Sequence, residues 1–341
     1  MSESLRDYTS LHLGGPAKKF VHATSEAELI EAIQAADSLG EPLLIMGGGS
    51  NVLIGDSGFA GTVIRVETKG NGFQFDACSG GMISVAAGED WDGFVAETID
   101  RGFAGLETMS GIPGTVGASP IQNIGAYGHE VSEFIARVKT WDRQARALKT
   151  FSNSECEFEY RNSRFKREKD RYVVLEVTFQ IRRGEMSDPI AYQELATKLG
   201  VALGAKALVT DVRKAVLELR AAKGMLLNNK DRDTWSAGSF FVNPIVSEDI
   251  AKQLPAEAPR WKQSDGRVKT SAAWLMEHAG VKKGDKHNGA GISSKHVLAL
   301  TNTGEATSAD LVELARSARK AVKEKFGIEL EPEVRFVGCD L

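Results

Sequence analysis

A chain of 341 residues is longer than one hydrophobic core comfortably serves, so two or three domains are expected. The 42 Lys plus Arg and 46 Asp plus Glu leave a formal net charge of −4, which argues against a dedicated nucleic-acid surface, and no run approaches the roughly 18 apolar residues of a membrane span. Cys78, Cys156 and Cys339 lie far apart and the six histidines show no HExxH pairing, so neither a disulfide framework nor a metal site is expected. The opening MSESLRDYTS lacks the basic-then-apolar layout of a signal peptide. These features point to a soluble cytoplasmic protein with no nucleic-acid or membrane partner.

In chain order, SEAELIEAIQAADSLG reads as a helix: Ser25 and Glu28 form a capping box, Leu29, Ile33 and Ala36 share a face, and Gly40 supplies the left-handed stop. PLLIMG, GTVIRVE (61–67) and MISVAAG (82–88) read as strands, and WDGFVAETIDRG (91–102) as a helix with Trp91, Val95 and Ile99 on one side. This opening third is βαβ-like. RVKTWD, ALKTF and YVVLEVTFQIRR (172–183) read as further strands, with a turn-rich YRNSRFKREKD before the last. TDVRKAVLELRAAK (210–223) is an amphipathic helix begun by Thr210, and the polar NNKDRDTWSAG after it marks a domain boundary nearby. SAAWLMEHAG (helix) and VLALTN (strand) precede a final helix over 308–327, whose Leu311, Leu314, Ala318 and Val322 face a core before Gly327 ends it.

Two glycine-rich segments carry the functional argument. GGGSN (Gly47, Gly48, Gly49, Ser50 and Asn51) follows a strand, as a phosphate-binding turn does, since glycine lets an anion approach backbone N–H groups. No GK[ST] follows and no helix opens, so neither a Walker motif nor a dinucleotide fingerprint is present, and a plain tight turn is an equal reading. Residues 110–128, SGIPGTVGASPIQNIGAYG, hold five glycines, two prolines and no charge. Such a stretch is neither a stable helix nor a central strand. A loop without charge suggests backbone packed closely against a large ligand, with Gln122 and Asn123 offering amide groups to a heterocycle edge, or else a buried irregular loop.

GGGSN, SGIPGTVGASPIQNIGAYG, YRNS, GSFFVNP and EPEVRF, in that order, resemble the motif series of the UDP-N-acetylenolpyruvoylglucosamine reductase family, in the subfamily with a tyrosine loop. The resemblance runs from LHLGG near residue 11 to VRFVG near 338. It implies an α+β fold: an FAD-binding fold of two α+β subdomains, of the vanillyl-alcohol-oxidase (PCMH) type, plus a smaller α+β substrate-binding domain. The implied boundaries are 1–67 for the first FAD-binding subdomain, completed by 334–341, then 68–219 for the second and 220–333 for the substrate domain. The implied activity is reduction of the enolpyruvyl ether of UDP-N-acetylglucosamine to UDP-N-acetylmuramate, in peptidoglycan precursor synthesis. The hydride comes from NADPH through noncovalent FAD, and the protein is a monomer.

The resemblance also implies roles. Ser239 of GSFF is the proton donor, Arg161 of YRNS stabilises charge on the enolpyruvyl carboxylate, and Glu333 of EPEVRF is the catalytic glutamate, which could share a proton or orient Arg220. An arginine suits a carboxylate because its planar fork binds in bidentate fashion and stays cationic. The flavin cradle is drawn from Gly47–Asn51, from Ser110, Gly111, Ile112, Pro113 and Gly114, from Gly117 and Ala118, from Gln122 and Asn123, and from Gly125, Ala126 and Tyr127. Arg335 sits near the flavin, on the face of Glu333 if the segment is a strand. The substrate set is Tyr160, Tyr192, Arg220, Lys223, Asn243 and His296. His129, Trp91, Trp274 and the Phe240–Phe241 pair read as structural. An alcohol oxidase of the same fold and a nucleotide-binding module without catalysis are the competing readings; anaerobic reduction by NADPH and the yellow colour of a flavoprotein separate them.

Overall fold

The computed structural model describes residues 3–76 and 80–341; Cys78 lies outside the described residues. The chain packs as two units, one of Met1–Glu3, Ala17–Gly48 and Ala60–Ala221, the other of Ser4–Pro16, Gly49–Phe59 and Ala222–Leu341.

In the first unit the helix Glu26–Ser38 starts where Ser25 accepts a hydrogen bond from the Glu28 N–H, and Gly40 stands at φ +64° just beyond its end. The capping box is not reciprocal in the expected way: the Glu28 carboxylate takes the Thr24 N–H and hydroxyl. Strands Ala17–Ala23, Phe59–Val66 and Leu43–Met46 form a three-stranded sheet, the last two parallel. An antiparallel sheet follows in the order Ala147–Ser152, Ile135–Asp142, Tyr172–Arg183, Gly80–Ala86, Asn71–Asp76. Ala17–Ala23 and Asn71–Asp76 were not expected; Lys18, Lys19 and Gly72 dilute their alternation. The helix Trp91–Asp100 is capped by Asp90, and its Trp91 and Phe94 rings lie 6.0 and 5.0 Å from Phe179. Each such ring, fully buried, contributes about 1.5–3 kcal/mol. A separate small core joins Ile190 and Leu195 to Val212 and Val216 of the helix Val209–Ala222. That helix begins one residue before Thr210, which therefore lies inside it and is not its cap.

In the second unit Ser236–Ser239, Ala299–Asn302, Ala290–Ile292 and Lys286–His287 make an antiparallel sheet, and Ile245–Val246, Val268–Thr270 and Arg260–Lys262 a smaller one. Arg335–Val337 pairs in parallel with Val52–Ile54. The helix Ser308–Phe326 opens with a capping box of Thr307 and Asp310 and ends at Gly327, φ +67°. Its Leu311, Leu314, Ala318 and Val322 are buried with Leu275, Leu298 and Phe240. Leu311 is fully buried, so Leu311→Ala would cost about 2–5 kcal/mol. Phe241 is buried beside Phe240, and Trp274 packs at the edge of this core.

Candidate active site

Gly47 and Gly48, the part of GGGSN that belongs to the first unit, meet the 110–128 stretch there. A Cβ on Gly48 would stand 2.9 Å from the Gly114 Cα, and one on Gly47 would strike the Thr115 hydroxyl. A Cβ on Gly117 would lie 2.5 Å from the Ala87 Cβ, and its N–H donates to the Ala87 carbonyl at 2.8 Å. Glycine at these positions is required by close approach of the protein's own atoms. The Gly111 N–H donates to Asp92 Oδ1 at 2.6 Å. Thus two amides expected to face a ligand, those of Gly111 and Gly117, are committed internally. Ser110 is fully buried and donates its hydroxyl to the Glu107 carbonyl. Asn123 is buried at φ +48°, and its side chain donates to Glu130 Oε2 (2.6 Å) and the Glu159 carbonyl while accepting the Ser132 N–H. This corrects the expectation that the Asn123 amide serves a heterocycle edge; it ties the loop to itself. Gly111–Gly114, Ala118, Gln122 and Gly125–Tyr127 remain half-buried.

Arg161, φ +52°, donates from Nη1 to the Asn123 carbonyl (3.2 Å) and from Nη2 to the Gly125 carbonyl (2.7 Å), with Glu130 at 4.0 Å. The Tyr160 ring lies under its guanidinium at 5.2 Å. A non-glycine residue in the left-handed region costs about 1–3 kcal/mol and is held only when its surroundings over-determine it. Arg220 donates from Nε to the Gly111 carbonyl at 3.1 Å. Burial lowers its pKa, and the neighbouring Tyr127 and Asp92 oppose that shift. Tyr127 is itself pushed up to about 12 by burial, and meets the half-exposed Tyr192 edge-on at 5.7 Å. Burial alone would raise the Asp92 pKa, but hydrogen bonds from Arg213 and the Gly111 N–H outweigh it and hold the carboxyl below its ordinary value. His129 is a structural group, with Nδ1 at 2.8 Å from the Glu133 carboxylate.

In the second unit, Ser239 closes the strand Ser236–Ser239 opposite Ala299. Phe240 donates its N–H to the Leu298 carbonyl, and its own carbonyl accepts the Glu333 N–H at 2.8 Å. Phe241 bridges Pro332, and Val242 N–H reaches the Glu331 carbonyl. GSFF and EPEVRF therefore run side by side, with Ser239 and Glu333 on neighbouring backbone segments. Asn51 ties in the third motif: its Nδ2 donates to the Glu333 carbonyl and its carbonyl accepts the Arg335 N–H, both at 3.1 Å. Arg335 opens a strand but Glu333 precedes it with a bend at Val334 between, so strand alternation does not place the two on one face. Asn243 Oδ1 accepts the Ala272 N–H at the start of the helix Ala272–His278. Lys223 and His296 are half-buried, just after the helix Val209–Ala222 and just before the strand Ala299–Asn302.

Asp92, Arg213 and Glu130 escaped the sequence reading. Arg213 binds Asp92 through two bonds of 2.6 and 2.9 Å across 121 positions of chain, a separation that no local pattern encodes. The 110–128 stretch offers main chain with no carboxylate of its own, and the nearby Asp92 is neutralised by Arg213. Such a surface suits a dinucleotide diphosphate.

Comparison with known proteins identifies the family. Residues 17–150 match an FAD binding domain and residues 229–337 match the UDP-N-acetylenolpyruvoylglucosamine reductase, C-terminal domain. A UDP-N-acetylenolpyruvoylglucosamine reductase of Cutibacterium acnes is 53% identical, covering 99% of this chain and 90% of that one; another of Thermobifida fusca is 49% identical, covering 99% and 97%. Among solved structures, the UDP-N-acetylenolpyruvylglucosamine reductase of Thermus caldophilus aligns over 99% of this chain and 98% of its own, with a TM-score of 0.67 and 25% identity.

Proposed function

The chain belongs to the UDP-N-acetylenolpyruvoylglucosamine reductase family, an FAD-containing oxidoreductase family of peptidoglycan synthesis, and from that premise we propose the reaction in detail. The substrate is the UDP-linked enolpyruvyl amino sugar, UDP-N-acetyl-3-O-(1-carboxyvinyl)glucosamine, and the product UDP-N-acetylmuramate. NADPH is the donor, the compartment the cytoplasm and the acting species a monomer. Among the described residues no helix is long and apolar enough to cross a membrane. The domain reading stays with residues 1–67 plus 334–341, 68–219 and 220–333.

FAD held by the residues of 47–51 and 110–127 would supply the hydride, drawn from NADPH, that adds at C3 of the enolpyruvyl group. Addition at C3 drives negative charge onto C2 and the adjoining carboxylate. Arg161, fixed by the carbonyls of Asn123 and Gly125, presents a permanently cationic fork to that carboxylate. Ser239 gives its proton to C2. A hydroxyl is a poor acid in water, so the transfer depends on Ser239 being held against the carbanion-like centre and reprotonated by a neighbour. Glu333 is that neighbour or a holder of the developing acid. Tyr160, Tyr192, Arg220, Lys223, Asn243 and His296 position the nucleotide, and Arg335 flanks the flavin.

The observation that supports this reading is the backbone bond between Glu333 and Phe240, which brings the segment of Glu333 beside that of Ser239. Stopped-flow spectroscopy tests it. Ser239→Ala is expected to leave bleaching of the flavin by NADPH near the wild-type rate and to slow the return of absorbance when the enolpyruvyl nucleotide is added. Equal slowing of both half-reactions removes Ser239 from the proton-donor role.

A further inference from the structure

The segment Ser110–Gly114 does not hold its own shape. The two peptides that flank the Gly111 Cα are each gripped by a charged side chain that belongs to neither glycine motif. On one side the Gly111 N–H meets Asp92 Oδ1 at 2.6 Å; on the other the Gly111 carbonyl accepts Arg220 Nε at 3.1 Å. Asp92 is in turn clamped by Arg213, Nη1 to Oδ1 at 2.6 Å and Nη2 to Oδ2 at 2.9 Å. Arg213 and Arg220 stand two turns apart on the helix Val209–Ala222, a spacing that puts both on one face. Asp92 lies in the first turn of the helix Trp91–Asp100, whose Trp91 N–H donates to the Gly114 carbonyl. One helix start and one helix face therefore enclose Gly111, at φ +71°, and the chain leads from there directly into Ile112, Pro113 and Gly114.

We propose that Asp92, held by Arg213, is a positioning residue that fixes the Ser110–Gly111 peptide and, through the Gly111 backbone, couples the flavin cradle to the Arg220 guanidinium. Asp92 and Arg213 touch neither flavin nor substrate. Their effect passes through Gly111, whose N–H they fix and whose carbonyl orients Arg220. The inference rests on the reading of residues 110–128 as flavin cradle and of Arg220 as a substrate group. It adds that the two sites are mechanically joined. Loss of the fork of Arg213 leaves the Asp92 charge half-buried without its main partner, and the carboxylate must then turn toward solvent or toward Arg220. Either movement disturbs the two peptides joined at Gly111 together.

The test uses the full-length flavoprotein. Dissociation of FAD is read by the fluorescence of released flavin on dilution, and KM and kcat for the enolpyruvyl nucleotide are read in the presence of excess FAD. Arg213→Met is expected to weaken FAD binding about tenfold and to raise KM about tenfold, with kcat changed by less than about threefold, the size found when an orienting outer residue is removed. Arg213→Lys, which keeps the charge without the planar fork, is expected to recover part of both effects. Asp92→Asn is expected to repeat the Arg213→Met pattern and, combined with it, to add little. FAD affinity and KM both within twofold of wild type in a folded Arg213→Met or Asp92→Asn protein would overturn the coupling, whatever their melting temperatures. If Arg213→Met does not fold, Asp92→Asn and Arg213→Lys decide by the same criterion. A wild-type protein that holds FAD but leaves the enolpyruvyl nucleotide unreduced is a different failure, that of the functional reading itself, and the FAD arm then judges the clamp alone.

Discussion

Around Arg161 the backbone is irregular and side chains brace the loop whose carbonyls hold the guanidinium, whereas around Ser239 and Glu333 main-chain bonds tie the segments together. In the first region Asn123, Tyr127 and Arg161 all sit at positive φ, and the anchors are the Asn123 amide and the paired Asp92 and Arg213. In the second, GSFF lies between the Leu298–Ala299 backbone on one side and Glu331–Glu333 on the other. The difference has a mechanical consequence. A ladder of N–H to carbonyl bonds is indifferent to the side chains along it, so replacing Ser239 or Glu333 is expected to leave the backbone geometry intact. A loop held by side chains has no such reserve, so one substitution there changes shape and function together.

The largest expected effect breaks the ladder side of this contrast. Glu333→Gln keeps the backbone bond to Phe240 and is expected to lower kcat by about 10²–10⁴-fold with the melting temperature within about 2 °C of wild type. Steady-state kinetics beside differential scanning calorimetry read both; a large fall in melting temperature would show that the carboxylate is structural. Next in size is Asn123→Ala, which removes the side-chain bonds to the Ser132 N–H and to Glu130 Oε2. It is expected to cost about 1–3 kcal/mol in denaturant unfolding and to lower kcat/KM as well, since the Asn123 carbonyl that orients Arg161 moves with it. A stability loss with unchanged kcat/KM would separate the loop from the arginine.

The smallest effect is a pH dependence at the same loop. The hydrogen bond to Glu133 raises the His129 pKa above its ordinary 6.5, burial working against it. Burial would raise the Glu133 pKa, but its bonds from His129 and the Glu130 N–H hold it below 4.5. The histidine's contribution is therefore full below pH 6.5 and fades as pH rises through the raised folded value. The glutamate's is present above pH 4.5 and fades as pH falls through the depressed one. Glu133 is 45% exposed, so the pair is worth under about 1 kcal/mol. Relative to His129→Gln, the wild type should lose that margin between pH 6 and pH 9 in thermal melts, and a constant difference across the range would refute the pairing.

Much of the local structure was legible because its signals are local. Ser25 caps a helix, and Gly40 and Gly327 end helices, each through groups within four residues of the helix end. The motif order located Arg161, Ser239 and Glu333. Less legible was the reason for the glycines. Gly47 and Gly48 were open to reading as ligand approach because sequence records that a side chain is absent, not what occupies its space. The occupants are Thr115 and Gly114, more than sixty positions on.

What the amino-acid order settled without help is the set of parts: capped helices, the uncharged loop of residues 110–128, and a motif series specific enough to name a family. What only the folded chain decided is which group holds which. Asn123 became an internal strut, Gly111 was gripped by Asp92 and Arg220, and Glu333 came to lie beside Ser239. The physical reason is range. Caps and periodicity act within a turn or two of backbone, whereas these bonds join groups as far apart in sequence as Asp92 and Arg213, and their geometry exists only after both units have built their cores.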